Sequence, residues 1–168
     1  RKHWGRQAMA DSTGRELGFG RALAGAILMR RLLRDELRDG PREIGVLLPP
    51  SVGGALANLA LALDHRVVVN LNYTAPESSV RAAIRAAGIQ TVITSRKVRE
   101  RLPGVPLPGR VIELEDLLPR AGTLARLRSL LAARLLPRPL LVSDRKWKPS
   151  DPLAILFSSG STAEPKGV

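Results

Sequence analysis

A chain of 168 residues with 44% hydrophobic content can bury the core of one domain, and nothing in it demands two. It has no cysteine, which excludes disulfides, thiolate metal sites and cysteine nucleophiles, and no apolar run approaches the roughly 20 residues that span a bilayer. The net charge of +12 comes mostly from dispersed arginines, and with only 3% aromatic residues to stack on bases a nucleic-acid partner is not expected; a solvated basic surface, or attraction to an acidic carrier protein or an anionic membrane, accounts for the charge.

Residues 1–14 read as a basic lead-in ending in the turn Asp11-Ser12-Thr13-Gly14, with no chemistry of their own. From Gly20 to Leu37 the apolar residues Ala22, Ala26, Met29, Leu33 and Leu37 recur at helical spacing, with Arg31, Asp35 and Arg38 off the stripe, which predicts an amphipathic helix packed on a core. Gly40-Pro41 ends it, and Ile44–Leu48 reads as a buried strand. The turn Pro49–Gly54 then opens a helix over 55–63. It lacks the three glycines of a dinucleotide fingerprint, so its glycines are expected to serve close helix packing.

Val67–Val69 is the next strand. Thr74 and Glu77 have capping-box spacing, Pro76 sits in the first turn, and Val80, Ala83, Ile84 and Ala87 form the buried face of a helix closed by Gly88. Ile89–Thr94 is again a strand. Strands and helices alternating in units of about 25 residues predict parallel pairing with right-handed crossovers, hence an α/β fold with a layered, mostly parallel sheet flanked by helices.

Residues 96–110 read as a basic, proline-rich surface connection leading to a strand at Val111–Leu114. Glu113, Glu115 and Asp116 are close in sequence, but strand alternation separates neighbours, so an acid/base pair is not expected there. Over 124–136 a helix carries Leu124, Leu127, Leu131 and Leu135 on one stripe. Core packing is the expectation, with docking on a membrane or a carrier protein as the alternative. Pro137 and Pro139 stop it, and Ser143–Pro152 is a polar approach containing Trp147. His3 and His65 stand alone, without metal-ligand spacing or a nucleophile in motif context, and are expected to be structural or surface residues.

The chemistry concentrates at the end. Leu153–Phe157 reads as a buried strand opening into Ser158-Ser159-Gly160-Ser161-Thr162-Ala163-Glu164-Pro165-Lys166-Gly167, with two glycines, four hydroxyl side chains and one lysine. Glycine lets the backbone approach a ligand, amide and hydroxyl groups donate hydrogen bonds, and Lys166 supplies a point charge: phosphate-binding chemistry. A Walker A loop needs glycine before the lysine and Ser or Thr after it. Pro165 and Gly167 occupy those places, so that reading fails.

The segment resembles the phosphate loop of AMP-forming adenylating enzymes, a superfamily that includes acyl-CoA and acyl-carrier-protein synthetases, luciferases and peptide-synthetase adenylation domains. Ala163 stands where the family has its second glycine, and if that position needs a positive φ the cost is on the order of 1 kcal/mol. The runs Gly45–Asn58, Asn70–Thr74 and Thr91–Arg96 are similar to the synthetase half of bacterial 2-acylglycerophosphoethanolamine acyltransferase/acyl-ACP synthetases.

The resemblance implies that residues 1–168 are an incomplete N-terminal portion of an AMP-binding domain, inactive alone. The implied reaction activates a fatty or other carboxylic acid with ATP and Mg²⁺, then transfers it to acyl carrier protein or CoA. Ser158, Ser159, Gly160, Ser161, Thr162, Ala163, Lys166 and Gly167 are implied to contact the ATP phosphates, and Thr162 to approach Mg²⁺; no catalytic residue is assigned here. The adenylation lysine, the magnesium-binding glutamate and the ribose-binding aspartate are implied to lie elsewhere. A cytoplasmic location is implied, at the inner membrane face if an acyltransferase domain is fused. The competing reading is a non-catalytic nucleotide-binding or basic interaction module on the same scaffold.

Overall fold

The computed structural model describes residues 2–105, 107–142, 148, 150–158 and 166–167, without the side chains of Arg138, Ser158 and Lys166. It begins with an antiparallel hairpin, β1 (Gln7–Ala10) and β2 (Glu16–Gly18), where only a lead-in and a turn were expected. Helix α1 (Phe19–Leu37) follows directly and buries Ala22, Ala26, Met29, Leu33 and Leu37, the stripe read from the sequence. Its start is fixed by aromatic packing. A Cβ on Gly20 would come within 2.2 Å of the Trp4 ring, so only glycine lets the indole lie on the helix.

Then come β3 (Glu43–Val46), α2 (Val52–Leu63), β4 (Val67–Asn70), α3 (Glu77–Ala86) and β5 (Thr91–Thr94). Next are α4 (Arg96–Arg101), β6 (Arg110–Glu113), α5 (Leu114–Leu117), α6 (Thr123–Leu135), β7 (Ala154–Ser158) and β8 (Lys166–Gly167). The sheet runs β6-β5-β3-β4-β7-β8, with β3 to β7 parallel and β8 antiparallel to β7, as the alternation of strands and helices predicts. One core, from Met29, Leu33, Ile44, Leu61, Ile93 and Leu117 among others, joins α1 and α2 to one sheet face; a second, from Val69, Val80, Ile84, Val92 and Val98, joins α3 and α4 to the other.

Helices α2 and α3 end alike. Arg66 N–H donates to Leu61 O and Ile89 N–H to Ile84 O, each across a left-handed residue, Gly88 at φ 59° and His65 at φ 52°. Arg66 itself is 1% exposed; its guanidinium donates to the carbonyl oxygens of Leu37, Gly40 and Pro41 and pairs with Asp64. It fastens the end of α1 to the turn entering β3.

Four expectations need correction. Thr74 does not form a capping box: its N–H and hydroxyl donate to Asn72 Oδ1, the N-cap of α3 is Pro76, and Glu77 accepts from Gly104 N–H. The nearer carboxamide outcompetes the helix end. Residues 96–110 are not all connection, because Ser95 Oγ accepts from Val98 N–H and starts α4. Strand β7 is not buried on both sides. Ile155 and Phe157 pack on the α3-side core, whereas alternation leaves Ala154 and Leu156 exposed.

The fourth correction is in α6. Its leucine stripe faces outward, with Leu124, Leu127, Leu131 and Leu135 at 59, 51, 47 and 66% exposure, while Ser129, Ala132 and Ala133 are buried against α1. The small residues allow a close helix approach, Ser129 satisfies its hydroxyl on Ala125 O, and Arg134 lies over the Trp4 ring at 5.2 Å. Among the described residues no helix is long and apolar enough to cross a membrane.

Replacing Arg66 with Leu should leave three carbonyls without their donor and destabilise the chain by about 2–4 kcal/mol. Denaturant unfolding would measure it, and a loss near zero would contradict the fastening role.

Candidate functional site

Because β3 to β7 are parallel, their carboxyl ends share one edge of the sheet, where ligands of open α/β folds bind. The turn Pro49–Gly54 leaves β3 there, Asn70–Thr74 extends from β4, and the glycine and hydroxyl segment leaves β7. Asn70 pairs with Leu156, so Ser158 lies two residues beyond that level. Antiparallel pairing then sets Lys166 opposite Ser158 and Gly167 opposite Phe157, and the two ends of segment 159–165 are held side by side. A Cβ on Gly167 would come within 3.3 Å of Ile155 Cγ2 and Phe157 Cε1, so glycine suits the close pass of β8 over β7.

Of the residues expected at the phosphates, Ser158, Lys166 and Gly167 are thereby placed by their backbone. Ser159, Gly160, Ser161, Thr162 and Ala163 lie outside the described residues, as do Glu164 and Pro165.

A cavity of about 530 Å³ opens between the ends of β3 and β4. Its polar lining includes a relay of carboxamides: Asn70 Nδ2 donates to Asn58 Oδ1 at 2.9 Å, and Asn58 Nδ2 to Gly54 O at 3.0 Å. The relay ties α2 to the last residue of β4, the strand that carries β7. Sequence reading did not single out this pair, because its partners stand 12 residues apart on different elements. An asparagine closing an otherwise apolar strand was the available signal.

The amino end of α2, which follows the turn Pro49–Gly54 set aside above as a dinucleotide fingerprint, takes hydrogen-bond acceptors from within the chain. Ser51 Oγ accepts from Gly54 N–H at 3.1 Å, and Asp11 Oδ2 in the hairpin turn accepts from Val52 N–H at 2.9 Å. A Cβ on Gly54 would lie 2.9 Å from Pro49 O, which makes close packing the reason for that glycine, as expected. The Asp11 carboxyl is held down to about 2, first by the Thr13 hydroxyl and then by Val52 N–H, with further help from the amides of Thr13 and Arg15.

At the far end of the same edge, Glu113, Glu115 and Asp116 converge on Arg96: Glu113 Oε2 accepts from its Nε at 3.0 Å, Glu115 from its backbone N–H, and Asp116 from its guanidinium. Arg99 also pairs with Glu113 and, with Arg96, holds its carboxyl below the usual range. The carboxylates form no acid/base pair, although the reason is ion pairing rather than alternation, since Glu115 and Asp116 sit on α5. Among the described residues no group of three His, Cys, Asp or Glu side chains could hold a metal ion.

The parallel α/β core recurs in solved structures. The chain has a TM-score of 0.70 to VinN in complex with 3-methylaspartate, at 23% identity over 96% of this chain and 42% of that one. It scores 0.67 against the N-terminal domain of FACL13 from Mycobacterium tuberculosis, at 22% identity over 96% and 39%, and 0.71 against the Klebsiella oxytoca NpsA N-terminal subdomain, at 18% over 99% and 38%. At these identities the likeness defines the fold, an α/β domain with a parallel sheet flanked by helices.

The AMP-binding enzyme family model matches residues 1–168, and the chain belongs to that family. A curated relative, the nonribosomal peptide synthetase gloA of Glarea lozoyensis, is 28% identical over 130 residues, which cover 76% of this chain and 2% of the synthetase. The chain thus spans about two fifths of these solved structures and a small part of the synthetase.

Because the folded state depresses the Asp11 pKa, its stabilising contribution is complete above the ordinary carboxylate range and is lost as pH falls toward about 2. Asp11→Ala should therefore lower the thermal midpoint at neutral pH, and the gap from the parent chain should close between about pH 4 and pH 2. A gap independent of pH would show that the carboxylate charge is not what caps α2.

Proposed function

We propose that the protein carrying this chain activates a carboxylic acid, a fatty acid foremost, as an acyl-adenylate and passes it to the thiol of acyl carrier protein or CoA. Membership of the AMP-binding family supports adenylate formation. The finer reading, fatty acid and acyl carrier protein, rests on the similarity of Gly45–Asn58, Asn70–Thr74 and Thr91–Arg96 to acyltransferase-linked synthetases. The observation that carries the proposal is the strapping of a glycine, hydroxyl and lysine segment to the carboxyl edge of the sheet by the Ser158 to Lys166 pairing.

In the first step the acid's carboxylate oxygen attacks the α-phosphorus of ATP, the bond to the bridging oxygen breaks, and pyrophosphate leaves with its negative charge increased. Amide groups of the segment and the hydroxyls of Ser159, Ser161 and Thr162 would donate to the β- and γ-phosphates. Lys166 adds positive charge, so the leaving group is stabilised as its charge grows. Mg²⁺ is expected to arrive on the nucleotide, with Thr162 the one hydroxyl assigned to it and phosphate oxygens supplying other ligands. In the second step a thiol displaces AMP. The pyrophosphate has gone by then, so the segment matters less.

In the full-length protein, Thr162→Ala or Lys166→Ala should lower ATP–pyrophosphate exchange by roughly 100-fold, the scale of losing one preorganised donor. Thioester formation from supplied acyl-adenylate should change only severalfold. An equal loss in both half-reactions would assign the segment a structural role and overturn its place in the first step.

A further inference from the structure

The outward leucines of α6 do not stand alone. Leu124, Leu127, Leu130, Leu131, Leu135 and Leu140 are between 41 and 66% exposed, a concentration of apolar surface that an isolated soluble helix does not need. The surrounding charge has one sign: residues 121–142 contain Arg126, Arg128, Arg134 and Arg138 and no acidic residue. Next to them, a cleft of about 600 Å³ between α1 and the end of α6 is lined by Arg30, Arg31, Arg34 and Arg38 along with Leu136 and Leu140. The carboxylate in that lining, Asp64, is already bonded by Arg30 and Arg66. Arg30 also donates to Leu141 O, which fixes the segment after α6 against α1. Arg31 and Arg34 are exposed and have no ion-pair partner among the described residues. Leu140 belongs to both features, joining the apolar ridge to the cationic cleft.

We propose that this face, the outer side of α6 with the α1 arginines beside it, docks on an anionic lipid membrane. Charge complementarity selects that occupant. A second copy seated on the same face would bring its own arginines against these, and Asp35, the acid beside them on α1, is already paired with Arg38. A bilayer with anionic headgroups accepts the leucines at the acyl boundary and the guanidiniums at the phosphates, the arrangement of helices lying in the interface plane. The packing of α6 through Ser129, Ala132 and Ala133 leaves this ridge free without loosening the core. The inference concerns where the protein works and is independent of the phosphate-segment reading.

The test is co-sedimentation of the full-length protein with vesicles of phosphatidylcholine alone or mixed with phosphatidylglycerol, at low and high salt, alongside sedimentation velocity and thermal unfolding. The parent protein should prefer the anionic vesicles and release at high salt. Leu127→Glu with Leu131→Glu should lower partitioning by about tenfold or more. Arg31→Glu with Arg34→Glu should abolish the preference for phosphatidylglycerol. Both variants should retain the parent thermal midpoint and the vesicle-free pyrophosphate exchange. Three results would overturn the proposal: no binding of the parent protein to either vesicle, a dimer that the leucine variant dissociates, or a leucine variant whose thermal midpoint falls while its vesicle binding does not.

Discussion

Parallel pairing of β3, β4 and β7 is the constraint from which the site follows. A parallel strand cannot return through a tight turn, so each crosses over a helix and each carboxyl end emerges on the same edge. The register of Asn70 against Leu156 then sets how far β7 projects beyond its neighbours, and the short antiparallel β8 closes the exit. On the proposed reading the segment between β7 and β8 presents amides to phosphates, and the pairing of Ser158 with Lys166 ties its two flanks to the sheet edge. The carboxamide relay from Asn70 through Asn58 to Gly54 stiffens that edge from the α2 side.

Electrostatics at the edge divides by location. Near β5 and β6 the acidic groups are consumed by Arg96 and Arg99, and at the start of α2 the free amides are consumed by Ser51 and Asp11. The Val52 and Gly54 amides and the Glu113 carboxylate therefore have partners within the chain. On the α1 and α6 side, α6 carries arginines and no acid, and Arg31 and Arg34 of α1 have no ion-pair partner among the described residues, which contributes to the net charge of +12.

Much of the architecture was readable from the residues because period settles most of it. The 3.6-residue stripe of α1 and the apolar runs at Val67–Val69 and Thr91–Thr94 have one stable arrangement each. The exceptions share a cause: the deciding partner is distant in sequence. The leucine stripe of α6 has the same spacing whether it meets a core or the outside, and only the small residues on its other side, seated on α1, decide which. Thr74 has capping-box spacing, yet Asn72 reaches it first. The run Leu153–Phe157 reads as fully buried, although the described helices cover only one of its faces. As for the site, composition alone raises the phosphate reading of segment 158–167, through glycine, hydroxyls and lysine in that order, and the structure adds the pairing of Ser158 with Lys166. The Asn58 to Asn70 relay and the Asp11 cap join separate elements and carry no local signature.

The account depends most on the segment between β7 and β8 meeting the phosphate tail of a nucleotide. The most direct measurement is photolabelling of the full-length protein with an ATP analogue carrying an azidoanilide on its γ-phosphate, followed by peptide mapping with unlabelled ATP as competitor. Competable label within residues 158–167 is the predicted result; competable label confined to the Pro49–Gly54 turn or to the arginine cleft beside α6 would contradict it.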